Sequence, residues 1–78
     1  MSHDMKVRVR LFAMFRHGRF RERDIELPPG VTVRQIVESL DIDPEEVGVT
    51  MINSRHCSLN DTPSDGDVVA IFPMIGGG

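Results

Sequence analysis

The chain has 78 residues and a formal net charge of -3, with 40% hydrophobic and 27% charged residues, which allows one domain and excludes a second. A domain of this size buries only about 60% of the surface its unfolded chain exposes, so there is little volume for a deep, dry catalytic pocket. The single cysteine, Cys57, excludes an internal disulfide and any multi-cysteine metal site.

No apolar run approaches the ~20 residues of a membrane span, and the stretch Met1 to Lys6 lacks the apolar region of a signal peptide. A cytoplasmic location is the expectation.

Residues 5–13 alternate, with Met5, Val7, Val9, Leu11 and Ala13 on one face and Lys6, Arg8, Arg10 and Phe12 on the other. Period two predicts a strand with one buried face. Gly18 supplies a turn, and a shorter strand follows at about residues 22–27, with Ile25 and Leu27 as core. Pro28-Pro29-Gly30 ends it. Thr32 is then a good N-cap, Gln35 completes a capping box, and Val33, Ile36, Val37 and Leu40 make one helical stripe. Asp43-Pro44-Glu45-Glu46 predicts a single further turn with an Asp cap and Pro at its first position. Strands are expected at residues 47–52, near His56-Cys57 and at residues 68–72, the last ended by Pro73, with turn chemistry at Asn53-Ser54-Arg55 and at Asp65-Gly66. The order β-β-α-β-β-β predicts an α+β mixed sheet of four to five strands with the helix on one face. The long connection would bring the last strand parallel to the first.

Charge is segregated along the chain. Residues 1–34 hold eight of the nine bases against four acids, and residues 35–78 hold Arg55 against eight acids. The two parts therefore carry +4 and -7, a dipolar arrangement that can steer encounter with a charged partner. An assembled catalytic set is harder to find. His56 and Cys57 are neighbours in a strand and point to opposite faces, so they cannot form a nucleophile–base pair. Cys57 reads as a small core hydrophobe, and Asp65 and Asp67 read as turn formers. No P-loop, dinucleotide fingerprint or metal-ligand spacing occurs, and no bound cofactor is expected.

The end of the chain, Met74-Ile75-Gly76-Gly77-Gly78, is different. Three glycines cost entropy to order and bring no side chain to pack, but such a segment is slim enough to thread a narrow tunnel and present a bare carboxylate. The expected division is a folded domain over residues 1–73 and a flexible tail over 74–78.

The segment from Asp65 to Gly78, with its acidic turn, last strand, Phe72-Pro73 pair and glycine tail, resembles the C-terminal end of MoaD/ThiS family sulfur carriers. Residues 7–13 resemble the family's first strand, and Asn53 matches its strand-turn asparagine. The resemblance spans essentially the whole chain and implies a ubiquitin-like β-grasp fold. It also implies a carrier rather than an enzyme. An E1-like adenylyltransferase of the MoeB, ThiF or HesA type would use ATP to adenylate Gly78, with Gly77 and Gly76 behind it. Sulfur from a donor would then give a thiocarboxylate, passed to an acceptor such as the molybdopterin synthase large subunit. The Phe-Pro pair is MoaD-like, whereas the third glycine also occurs in ThiS-like members, which serve thiamin thiazole synthesis.

Phe12 and Phe72 fall on outward strand positions among arginines, a pattern suited to an interface. With His56, Pro73, Met74 and Ile75 they form the expected partner-binding set, with no role for nucleic acid or membrane. Two other readings use the same residues differently. A protein modifier would form an isopeptide bond through Gly78. An RNA-binding module would use Arg8, Arg10 and the loop from Arg16 to Arg23, but the chain is acidic overall and Phe12 is the only aromatic on that strand face.

Overall fold

The computed structural model describes residues 4–74. Strand β1 spans Met5–Leu11 and strictly alternates buried and exposed residues. It stops two residues short of the expected end. Ala13 is exposed, adopts a positive φ of 54° and opens a 3-10 turn over Ala13–Arg16. Apolar alternation counted Ala13 as core, but a methyl group has little to bury. The turn instead sends the Phe15 ring into the core, where it is 3% exposed, and a Phe ring gains far more than an alanine methyl. Arg16 Nε donates to Leu11 O at 2.7 Å beside the strand end.

Strand β2, Glu22–Leu27, pairs antiparallel with β1, and Ile25 and Leu27 lie half-buried against the core. Helix α1, Val33–Ser39, starts as its sequence predicts. Thr32 Oγ1 accepts from Gln35 N at 3.2 Å while Gln35 Oε1 accepts from Thr32 N at 2.9 Å, so two N-terminal donors are satisfied reciprocally. Its C-terminus closes as a Schellman motif, with Asp41 N donating to Glu38 O and Ile42 N to Val37 O. Asp41 occupies the left-handed position usual for glycine, at φ 60°. Arg19 braces the same end, with Nε donating to Leu40 O at 2.8 Å and Nη2 to Asp41 O at 3.0 Å. A 3-10 turn at Pro44–Glu46 follows, capped by Asp43 Oδ1, which accepts from Glu45 N.

Strands β3 (Val47–Ile52) and β4 (Arg55–Cys57) form a hairpin across Asn53 and Ser54, both at positive φ as a tight two-residue loop requires. Strand β5, Val68–Pro73, lies parallel to β1 and antiparallel to β3. The sheet order is β2-β1-β5-β3-β4, a β-grasp arrangement. Val7, Val9, Leu11, Val69 and Ile71 from the sheet and Val33, Ile36 and Val37 from α1 are fully buried between the two layers. Cys57, expected as a small core hydrophobe, is half-buried on edge strand β4 and packs against the core, with Sγ 3.3 Å from Thr50 Oγ1.

On the face away from α1, β1 and β2 carry an ion-pair ladder. Arg8 Nε meets Asp24 Oδ1 at 2.9 Å, and Arg10 Nε meets Glu22 Oε1 at 3.2 Å. The hydrogen bond from Arg8, more than its charge, holds the Asp24 carboxyl below the usual aspartate range.

Thr32→Ala should destabilise the domain by about 0.5–2 kcal/mol in denaturant unfolding; an unchanged midpoint would show that α1 does not rely on its capping box. Because the folded-state pKa of Asp24 is depressed, its stabilising contribution is complete above the ordinary aspartate value of ~3.9 and is lost as pH falls through the folded pKa. An NMR carboxyl titration should give Asp24 a midpoint below that ordinary value. Arg8→Ala should move the midpoint upward, and an unmoved midpoint would contradict the assignment.

Candidate functional site

The sheet's open face is built by one parity of positions. The β1–β5 register sets Arg8 opposite Val68 and Arg10 opposite Ala70, and the β3–β5 register sets Val49 opposite Phe72 and Met51 opposite Ala70. His56 on β4 stands opposite Met51. Since Val69 and Ile71 are buried against α1, their neighbours Val68, Ala70 and Phe72 point the other way. The face is therefore divided, with charged ladders on β2 and β1 and apolar side chains on β5 and β3.

At the boundary of the two halves, Phe12 and Phe72 stack. Their ring centroids are 4.1 Å apart and their planes differ by 11°. Both rings are half-buried rather than freely exposed, each covering one side of the other. The Arg10 and Arg16 guanidiniums lie 5.4 Å and 5.2 Å from the Phe12 centroid, within cation–π range. The pair thus presents aromatic edges rimmed by positive charge.

Beside this stack lies a shallow apolar groove of about 510 Å³, lined by Gly48, Val49, Met51, His56, Phe72, Pro73 and Met74. Pro73, expected on the partner-binding surface, is buried in the isolated domain. Its ring helps form the groove wall but offers little free surface, because β5 pairing with Val47 encloses it. Met74 is the opposite case, 64% exposed, yet anchored by its backbone N, which donates to Glu46 O at 2.8 Å. Ile75, Gly76, Gly77 and Gly78 lie outside the described residues.

Sequence reasoning placed Phe12, Phe72, His56 and Met74 on this side of the molecule and missed Val49, Met51 and Gly48. The signal was present in Val49-Thr50-Met51, where the central threonine is the buried member and the flanking apolar residues face out. Reading the apolar pair as outward requires knowing that Thr50 Oγ1 donates to Cys57 O at 2.9 Å inside the sheet. Among the described residues no group of three histidine, cysteine or acidic side chains could hold a metal ion. No described helix is long and apolar enough to cross a membrane.

Comparisons with known proteins fit this geometry. The ThiS family model matches residues 9–78. A putative molybdopterin converting factor subunit 1 from Pyrococcus furiosus is 33% identical, with a TM-score of 0.72 over 91% of this chain and 99% of its own. Two further structures are alike in fold. One is the complex of subunits 1 and 2 of the molybdopterin-converting factor from Helicobacter pylori, 24% identical, with a TM-score of 0.65 over 95% of this chain and 100% of that one. The other is the small archaeal modifier protein 1 of Haloferax volcanii, 18% identical, with a TM-score of 0.72 over 91% and 99%. No curated protein sequence matches the chain. With a ubiquitin-like β-grasp sheet and a family model that covers all but its first eight residues, the chain belongs to the ThiS family of MoaD/ThiS-type sulfur carriers.

Proposed function

We propose that the chain carries sulfur on its C-terminal carboxylate and serves as co-substrate to partner enzymes rather than as an enzyme itself. The observation that carries this reading is the course of β5. This strand lies between two others in the sheet, emerges at Met74 beside the apolar groove, and leads to Gly76-Gly77-Gly78. In the first step a carboxylate oxygen of Gly78 attacks the α-phosphorus of ATP on an E1-like adenylyltransferase, and pyrophosphate leaves. A sulfur nucleophile at the oxidation level of hydrosulfide then attacks the acyl carbon, AMP leaves, and a thiocarboxylate remains. Gly76 and Gly77 keep the approach narrow. ATP belongs to the partner's site.

The acceptor we favour is the large subunit of a molybdopterin synthase, with this chain as the small subunit. The support is the 33% identity to the Pyrococcus furiosus converting-factor subunit and the likeness to a subunit solved together with its subunit 2. Donation to thiamin thiazole synthesis would use the same tail with another acceptor. A modifier role, suggested by the fold of the small archaeal modifier, shares the adenylation step and diverges when a lysine amine takes the acyl group. The docking surface is Phe12, Phe72, His56 and Met74, rimmed by Arg10 and Arg16 and continued along the chain by Ile75. Its aromatic and arginine content is that of an interface hot spot.

The test is intact-protein mass spectrometry after incubation with the E1-like enzyme of the same source, ATP and a sulfur donor. The expected product has one oxygen replaced by sulfur at the C-terminus, and a chain extended beyond Gly78 should remain unmodified. Full adenylation of a C-terminally blocked chain would sink the proposal. For the docking surface, Phe72→Ala should weaken partner binding by about 2 kcal/mol or more. Its effect on folding should stay well below the ~3–5 kcal/mol of a buried Phe truncation. Equal losses in calorimetric binding and in denaturant unfolding would place Phe72 in the core and the docking surface elsewhere.

A further inference from the structure

Gly48 is the one residue of β3 that the sheet register leaves unpaired. Val47 stands opposite Pro73 and Val49 opposite Phe72, so an irregularity falls at Gly48, and such bulges redirect a strand. Its φ is not in the left-handed region, unlike those of Gly18, Gly30 and Gly66. Conformation therefore does not demand glycine here, but space does. A Cβ at position 48 would stand 2.8 Å from Met74 Cα, 2.9 Å from Pro73 O and 3.1 Å from Met74 N. All three are backbone atoms, and none can rotate away as a side chain could. Carbon atoms rest at about 3.5–4.0 Å, so any side chain at 48 must push the end of β5 aside by roughly half an ångström to one ångström.

That contact lies at the last anchored point of the chain. Met74 N donates to Glu46 O at 2.8 Å on the other side of the same bulge, and residues 75–78 continue from there. From this packing we infer that Gly48 is a positioning residue for the C-terminal tail: by letting the Pro73–Met74 backbone lie directly on β3, it sets the direction in which the tail leaves the sheet. The inference rests on the carrier reading above and adds to it a residue that neither reacts nor offers a side chain to a partner. A misplacement of about 1 Å at a site remote from the chemistry can lower a rate by up to about 100-fold, and the tail's origin is such a site.

The test is Gly48→Ala in the full chain, followed by backbone amide NMR and by pyrophosphate release with the E1-like enzyme. Chemical-shift changes should centre on residues 46–49, Phe72 and Met74, leaving α1 and β2 in place. The kcat for adenylation should fall by about 10- to 100-fold, while KM stays within roughly threefold because the docking side chains are retained. A purely structural role would lower the melting temperature without this split between kcat and KM. An unmoved Met74 amide, or a displaced one with full kcat, would overturn the inference. Should Gly48→Ala not fold, Met74→Pro removes the amide that bonds Glu46 while leaving Val69 and Ile71 untouched, and Met74→Ala keeps that amide. Both variants lose a docking side chain and should raise KM, but kcat should fall about 10- to 100-fold further in the proline variant; equal kcat in the two would also overturn the assignment. Absence of adenylation in the unaltered chain would remove the carrier reading itself, and this role with it.

Discussion

A strand flanked on both sides must find hydrogen-bond partners along two edges at once, and β5 meets that demand with opposite pairings. It runs parallel to β1 and antiparallel to β3. Parallel pairing with the first strand is the non-local link that turns two hairpin-like halves into one sheet. Its register is secured by polar contacts where β5 begins. Asn53 Oδ1 accepts from Val68 N at 2.9 Å, Asn53 Nδ2 donates to Asp67 Oδ1 at 2.9 Å, and Asn53 N donates to Val68 O at 2.8 Å. Asp65 Oδ1 accepts from Lys6 N at 2.7 Å, tying the same turn to β1. A slip of one residue would turn Val69 and Ile71 out of the core and flip every side chain of the strand. It would also move the groove and the origin of the tail.

The helix covers only one face of this sheet, so the other face must be made compatible with water by its own side chains. On β1 and β2 that is done by alternating charge, Arg8 and Arg10 against Asp24 and Glu22. Exposed pairs of this kind contribute little net stability, but they keep the edge strand β2 from offering an apolar edge to another sheet. On β5 and β3 no such ladder exists among the described residues, and Val49, Met51 and Phe72 remain beside the exposed Met74. Apolar residues concentrated on the half of the face from which the tail leaves are what an interface requires. The fully buried core, by contrast, lies on the helix side of the sheet.

Much of this was legible in the residues themselves. The period-two run from Met5, the Thr32–Gln35 capping box, the Asp43-Pro44 start and the β-branched run at Val68 all fixed elements that the structure contains, because each is a local signal whose physics acts over a few residues. Ala13 misled because alternation counts apolar positions without weighing their area, and Phe15 won the core. Asp41 gave no sign of a left-handed helix cap, since glycine or asparagine is the usual residue there. The site was legible where it depends on parity, as for Phe12 and Phe72. It was hidden where it depends on pairing across the sheet. The closeness of Gly48 to Met74 joins residues 26 positions apart, and no local pattern encodes it.

The same long-range pairing sets a limit on what the tail can do. On the carrier reading proposed above, Ile75, Gly76, Gly77 and Gly78 separate Met74 from the reacting carboxylate, and at ~3.3–3.6 Å per residue four residues reach at most about 13–14 Å. On that reading, a partner that gripped the Phe12–Phe72 stack would hold its reactive centre within that distance of Met74. The tail must also be nearly extended to use the full span. Extension loses conformational freedom, and glycine has the most to lose, so the energy for threading must come from docking elsewhere on the domain. The stacked rings and the apolar groove are placed to supply it, next to the point where the tail begins. On the proposed reading the division of labour is spatial: the folded sheet would bind, the glycines would reach, and the contact of Gly48 with the Pro73–Met74 backbone would set where the reach begins.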